Sequence, residues 1–420
     1  MTARPTLLLE AFTEILTCAP GSPDLVGRLT DGCILVAGDR IVAVGDAASL
    51  EAAHDLAGVE RISCRGRIAA PGFVDAHTHV VFGGSRVEEY VHKISGRMEI
   101  FRARGAPAGI AATVAMTRAA SEDDLYDSAA DRLHRMLAHG TTTVESKSGY
   151  GLNLEQELKM LRVNQRLAGT GAEPALPDIV STFLGAHAFP PDADPRAYVD
   201  EIIEEMIPAV VELNLARFCD VYIDEGYFDL DQTRRILLAA REAGLLLKVH
   251  ADQYSAMGGS ELAVELGAVS VDHMNYTPED TIRRLGAAGV AAVLMPMIDL
   301  AVRHPRPFDA RAILASGMPV ALATDICPGG WTESLQLVMQ MACRLHGFTP
   351  AEAVFAATAG GARALALDDR GVLAPGKRAD IQVWDLPRWE EVVYRFGHNA
   401  VDRVYRLGQP VIQPTGQPAT

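Results

Sequence analysis

The chain has 420 residues, 49% apolar and 22% charged, which is the balance of an ordinary folded protein and too much length for one small core. Its formal net charge of −16 argues against nucleic acid or an anionic membrane gripped through a basic surface, while leaving an anionic small molecule open as a partner. Six scattered cysteines with no Cys-x-x-Cys pair, charged Arg4, Glu10 and Glu14 where a signal peptide is apolar, and the lack of a bilayer-length apolar run predict a cytoplasmic protein with reduced thiols.

Residues 1–70 read as short strands. Cys33-Ile-Leu-Val-Ala37 runs into Gly38-Asp39 and Ile41-Val-Ala-Val-Gly45 leaves it, the pattern of a hairpin. The far end is similar: residues 380–385 and 401–407 are strand-like, with turns at Gly376-Lys377 and Gly408-Gln409, and residues 408–420 form a frayed tail. Two β-rich ends around a different middle predict one small β-sandwich domain built from residues 1–70 and 368–420; two separate flaps are the alternative. Between them, residues 71–367 alternate apolar strands with amphipathic helices. Strands are predicted at residues 73–76, 141–144, 179–184, 217–223, 246–249, 268–271, 290–294 and 320–323. Ser121, three before Asp124, caps a helix that ends at His139-Gly140, and a second helix covers residues 154–167. Eight strands alternating with helices predict a closed (β/α)8 TIM-like barrel, and no Gly-x-Gly-x-x-Gly or Walker pattern follows a strand.

Polar residues close these strands where a barrel keeps its active site. The first ends in His77 and His79, whose two-residue spacing sends both imidazoles to one face. Later strands end in Gly185-Ala-His187, Lys248-Val-His250, Asp272-His273 and Ala323-Thr-Asp325. A lone histidine at a strand end is most often a satisfied core residue. Five histidines and an aspartate across five strand ends point to metal instead. Three neutral imidazoles and a carboxylate leave a divalent ion charged enough to lower the pKa of bound water from 15.7 towards roughly 7. His77, His79, His250 and Asp325 are the ligands chosen, with Asp325 also placed to accept a proton. His273 is the candidate for polarising a carbonyl or shuttling a proton, support of a ligand being its alternative.

Ala76-His-Thr-His79 with Asp325, and β-rich ends around a barrel, resemble the amidohydrolase superfamily. Within it, Val81-Phe-Gly-Gly-Ser-Arg86, Thr141-Thr-Thr-Val-Glu-Ser-Lys-Ser-Gly-Tyr-Gly151, Ser181-Thr-Phe-Leu-Gly-Ala-His-Ala188 and His250-Ala-Asp-Gln253 resemble the imidazolonepropionase family. The resemblance implies hydrolysis of 4-imidazolone-5-propanoate to N-formimidoyl-L-glutamate in histidine breakdown, one zinc or iron ion on the four ligands named, and a homodimer. It matches His273 to the catalytic histidine, and Arg86, Tyr150 and His187 to residues that touch substrate. The residues agree with these roles. The substrate has a carboxylate tail, and Arg86 offers a planar fork to it after a Gly-Gly bend. Tyr150 sits between two glycines, and His187 ends its strand.

Some positions depart from the family pattern. Gln253 stands where some members carry glutamate, and since a glutamine cannot move a proton it is assigned to substrate binding. The loop at residues 87–100 reads as shortened, and Cys327 replaces a common asparagine. The rival reading is a metal-dependent aminohydrolase, which uses His-x-x-Glu to protonate a departing amine; Gln253 cannot, and Asp252 is expected to face away. A two-metal site lacks its bridging lysine in Tyr222-Ile-Asp-Glu-Gly226, although Glu225 is a possible substitute. A non-catalytic scaffold is disfavoured because every ligand position is filled.

Overall fold

A computed structural model of the chain describes residues 4–105, 107–169, 176–191 and 193–413. The amino-terminal stretch forms β1 (Leu7–Leu16), β2 (Arg28–Ala37), β3 (Arg40–Asp46), β4 (Glu60–Ser63) and β5 (Ile68–Pro71). β2 and β3 make the predicted hairpin, while β1 pairs antiparallel with β2 and parallel with β4 and β5.

The chain then turns into β6 (Phe73–Asp75), β7 (Thr141–Lys147), β8 (Asp178–Ala186), β9 (Phe218–Ile223), β10 (Leu246–Ala251), β11 (Ser270–His273), β12 (Ala291–Leu294) and β13 (Val320–Leu322). These eight strands are parallel and neighbour one another in chain order. Beyond β6 and β13 the ring is joined by two backbone bonds, Asp325 N–H to the His77 carbonyl at 3.1 Å and His79 N–H to the Ile326 carbonyl at 2.9 Å. The fold is therefore the expected (β/α)8 barrel, with one broad apolar core between its strands and helices.

The helix Glu122–Ala138 begins in a reciprocal capping box between Ser121 and Asp124. Its buried Arg132 donates to the Val80 carbonyl at 2.7 Å and lies 3.6 Å from the centre of the Phe82 ring. That contact ties down the segment after β6, on which the first two histidines sit.

The carboxy-terminal strands β14 (Ile381–Trp384), β15 (Val401–Arg406) and β16 (Gln409–Ile412) join the opening ones, since β14 pairs antiparallel with β5. Both ends of the chain thus build one eight-stranded sheet with its own apolar cluster. Trp384 meets Phe73 of the barrel with ring centroids 6.2 Å apart. At the same seam Asp178 of β8 pairs with Arg370 at 2.6 Å, with Arg378 at 2.6 Å and with Arg406. Among the described residues no helix is long and apolar enough to cross a membrane.

Three details differ from the sequence reading. The tail does not fray at 408, because Gln409–Ile412 pairs with β15; residues 414–420 lie outside the described residues. Residues 87–100 hold the helix Val87–Ile94 and the start of the helix Met98–Arg102 rather than open loop. β7 runs three residues past the predicted 144, through polar Glu145-Ser-Lys147, because Glu145 and Lys147 pair with each other inside the barrel and Ser146 donates to Asn164 of the flanking helix Leu154–Gly169.

Candidate metal centre

The mouth of the barrel opens into a cleft of about 810 Å³ lined by His79, Arg86, Tyr150, His187, His250, Gln253, His273 and Asp325. His77 is fully buried at its floor. All nine candidate residues therefore converge on one place, although they come from seven separate stretches of sequence.

Ligand atoms of His77, His79 and Asp325 lie within 4.8 Å of one another, and so do those of His77, His250 and His273. His77 is the member common to both groups. Its Nε2 and the Nε2 of His79 each stand 3.6 Å from Asp325 Oδ1, too far for a hydrogen bond. Ligands held roughly 2.1 Å from one tetrahedral ion are separated by about this much. His77 Nε2 and His79 Nδ1 are buried without a hydrogen-bond partner, which is costly unless something else meets a nitrogen lone pair. The donor set, with the orphaned His77 Nε2 at its centre, fits a divalent cation.

The imidazoles are oriented from behind. His77 Nδ1 donates to Asp272 Oδ2 at 2.7 Å and His250 Nδ1 donates to Asp220 Oδ2 at 2.7 Å, so each turns Nε2 towards the cavity. Burial, reinforced by Lys147 and His250, holds His77 well below the usual imidazole range. Burial with His187 does the same to His79, and burial with His250 to His273. Neutral imidazoles are the form that binds metal. Burial pushes the Asp325 carboxyl well above its usual range, against the pull of Lys147. Behind it, Asp220 and Asp272 resist the same burial: His250 and Lys147 hold Asp220 low, and Lys248 and Lys147 hold Asp272 low. His273 and Asp325 both adopt left-handed backbone, with φ of 81° and 47°. Such strain costs on the order of 1 kcal/mol or more and persists where surrounding structure imposes it.

Arg86 immediately precedes the helix Val87–Ile94, and its fork is not free. Nε and Nη2 donate to Glu89 at 2.8 and 2.6 Å, a pairing that the sequence reading did not foresee. Tyr150 lies 5.6 Å from the His79 ring and 5.3 Å from that of His187. Its loop is pinned by the buried Glu157 carboxylate, which accepts from the N–H groups of Gly149, Gly151 and Leu152 at 2.7–2.9 Å. Gly149 has φ of 104°, and a Cβ there would come within 2.8 Å of the Leu184 carbonyl, so only glycine fits. His187 donates from Nδ1 to the Gly149 carbonyl at 3.0 Å and stacks on His79; burial, then His250, lowers its pKa to about 3. Gln253 accepts from the Tyr222 hydroxyl at 2.9 Å.

The rejected candidates are equally informative. Asp252 points away, accepting from Thr277 at 2.8 Å and from Ser260, and Glu225 is exposed. Burial, then Asp325, pushes the Cys327 thiol up to about 12, which leaves it inert as a nucleophile. Sequence reasoning missed Glu145, Lys147 and Asp220 and gave no role to Asp272 or Lys248. All five are fully buried. One signal was available: Glu145 and Lys147, like Lys248 and His250, are two apart on one strand and so share a face.

Comparison with known proteins places the site in context. Residues 68–411 match the model of the amidohydrolase family, and residues 32–55 match that of the imidazolonepropionase-like composite domain of bacteria. The chain is 44% identical over 395 residues to an imidazolonepropionase of Geobacillus kaustophilus, covering 92% of this chain and 91% of that one. It is 42% identical over 421 residues to an imidazolonepropionase of Alkaliphilus oremlandii, covering 96% and 97%. Among solved structures, a zinc-bound adenosine deaminase from Xanthomonas campestris superposes with a TM-score of 0.73 at 18% identity, over 100% of this chain and 95% of that one. A triazine hydrolase variant gives 0.72 at 18% identity, over 98% and 96%. At such identity these two speak for the fold alone.

Proposed function

The chain belongs to the imidazolonepropionase family of amidohydrolases, and from that premise we propose how its residues carry out the reaction. It is a metal-dependent hydrolase of histidine degradation that opens the ring amide of 4-imidazolone-5-propanoate to give N-formimidoyl-L-glutamate. His77, His79, His250 and Asp325 would hold one divalent ion, zinc or iron. When bound, that ion activates water and polarises the ring carbonyl. The observation that carries this reading is the buried His77 Nε2, which has no hydrogen-bond partner and stands 3.6 Å from Asp325 Oδ1, with His79 Nε2 at the same distance from that oxygen.

The remaining chemistry falls to the chain's own groups. Asp325, as the carboxylate, takes the proton from the attacking water and delivers it to the ring nitrogen as the C–N bond breaks. His273, neutral at physiological pH, donates an N–H to the oxygen on which charge develops. Arg86 binds the propionate carboxylate, which shares or displaces Glu89 from the guanidinium. Tyr150, His187 and Gln253 line the ring and fix its orientation. No acid stands at position 253 to protonate a departing amine, and for that reason hydrolysis of a ring amide is favoured over deamination.

The division into a catalytic unit over residues 71–367 and a small unit from residues 1–70 and 368–420 is part of the proposal, as are a cytoplasmic location and a homodimer. The test is metal analysis combined with turnover of 4-imidazolone-5-propanoate against a panel of cyclic ureas and amidines. One equivalent of zinc or iron and clear preference for the imidazolone are expected; turnover confined to an amidine substrate would refute the assignment.

A further inference from the structure

Lys147 is an ammonium group with no exposure at all, set inside the barrel beneath the cleft. A buried charge of this kind is retained only where its partners repay desolvation, so the partners define what it is for. Its Nζ donates to Asp220 Oδ2 at 2.7 Å and lies 3.4 Å from Asp272 Oδ2. Those two oxygens are the same atoms that receive Nδ1 of His250 and Nδ1 of His77. Lys147, Asp220 and Asp272 come from β7, β9 and β11, alternate strands of the barrel, which is how one layer of its interior is built.

We infer that Lys147 is a positioning residue whose single ammonium braces both carboxylates and thereby sets the direction in which His250 and His77 present Nε2. The inference rests on those two histidines being metal ligands. The other oxygen of each carboxylate is held locally, Asp220 Oδ1 by the His250 backbone N–H at 3.1 Å and Asp272 Oδ1 by the Ser270 hydroxyl at 2.8 Å. Lys147 is the cation that the two imidazole-bound oxygens share, which locks them relative to each other. Lys248 shares only the Asp272 side of the brace: it stands 3.7 Å from Asp272 Oδ2 and donates to the Ala76 carbonyl, whereas Lys147 reaches both Asp272 and Asp220. The third partner of Lys147, Glu145 at 2.7 Å, accepts through its side chain from Lys147, the Thr78 N–H and the Thr182 hydroxyl rather than from a histidine ring.

The experiment is a Zn²⁺ competition titration of the full, metal-stripped chain, with the visible spectrum of the Co²⁺-loaded protein as a second readout. Lys147→Met is expected to raise the Zn²⁺ dissociation constant roughly 10- to 100-fold, the usual effect of losing outer support at a metal site, and to alter the Co²⁺ spectrum. Because an unbalanced buried carboxylate can prevent folding, the paired variant Lys147→Met with Glu145→Gln removes cation and anion together and is expected to show the same weakening. If either variant folds and binds Zn²⁺ within twofold of the parent with an unchanged Co²⁺ spectrum, the brace is refuted. If neither folds, Lys147 belongs to the fold rather than the centre and the inference falls as well. A parent protein that binds Zn²⁺ no better than His77→Ala would instead overturn the metal-site reading beneath it.

Discussion

Two clusters of charge, one fully buried inside the barrel and one half-buried at its seam with the terminal sheet, are built differently. Under the cleft, Lys147 and Lys248 face Glu145, Asp220 and Asp272, all without exposure, so negative charge is in excess by one. Two of those carboxylates end on histidines that point into the cavity. At the seam between barrel and terminal sheet, Arg370, Arg378 and Arg406 converge on Asp178, with Asp369 and Asp380 completing equal numbers of each sign. That network runs on from Asp369 to Arg40 and Asp39, a further pair of opposite sign, and so stays balanced. An excess of negative charge aimed at a pocket suits a cation, whereas a balanced knot joins two layers of structure. Function and stability are therefore expected to separate when each cluster is perturbed.

The largest effect should come from the cavity side. His273→Ala is expected to reduce turnover by roughly 10²- to 10⁴-fold while zinc content and melting temperature stay near those of the parent; steady-state kinetics beside metal analysis measures both. Loss of metal together with activity would show that His273 supports the ion instead. At the seam the pattern should invert. Asp178→Asn leaves three guanidinium groups short of a carboxylate and should cost roughly 3 kcal/mol in denaturant unfolding, with kcat within twofold.

The same aspartate predicts a pH effect. Burial opposes its ionisation, but Arg378, Arg370 and Arg406 lower its pKa from 3.8 to about 2. A depressed folded-state pKa contributes stability that is present above about pH 4 and lost as pH falls towards 2, here about 2 kcal/mol. Acid titration of stability should lose that component in Asp178→Asn, and an identical acid limb would separate Asp178 from the effect. The smallest change belongs to the cleft rim. Arg86→Ala should raise KM roughly 10- to 100-fold with little change in kcat, as loss of a charge-assisted bond made equally in ground and transition states. A fall in kcat at constant KM would move Arg86 from binding to chemistry.

Much of this was legible beforehand because it is local. The eight strands announced themselves as apolar runs between helical patterns, Ser121 and Asp124 as a cap, and His77-Thr-His79 as two side chains on one face, since spacing along a strand dictates direction. Both ends of the chain also read as strands. What local pattern could not supply was partnership across the ring. Lys147 meets Asp220 and Asp272 only after closure brings alternate strands into one layer, and a lysine in a strand otherwise reads as a solvated one. The fork of Arg86 looked free because nothing in the sequence showed that a helix would begin there and place Glu89 one turn on. Sequence by itself determined which chemical groups exist and in what order the chain lays down strand and helix. Tertiary structure alone decided which of them share a dry interior, because desolvation and long-range pairing act between atoms that only the closed barrel brings together.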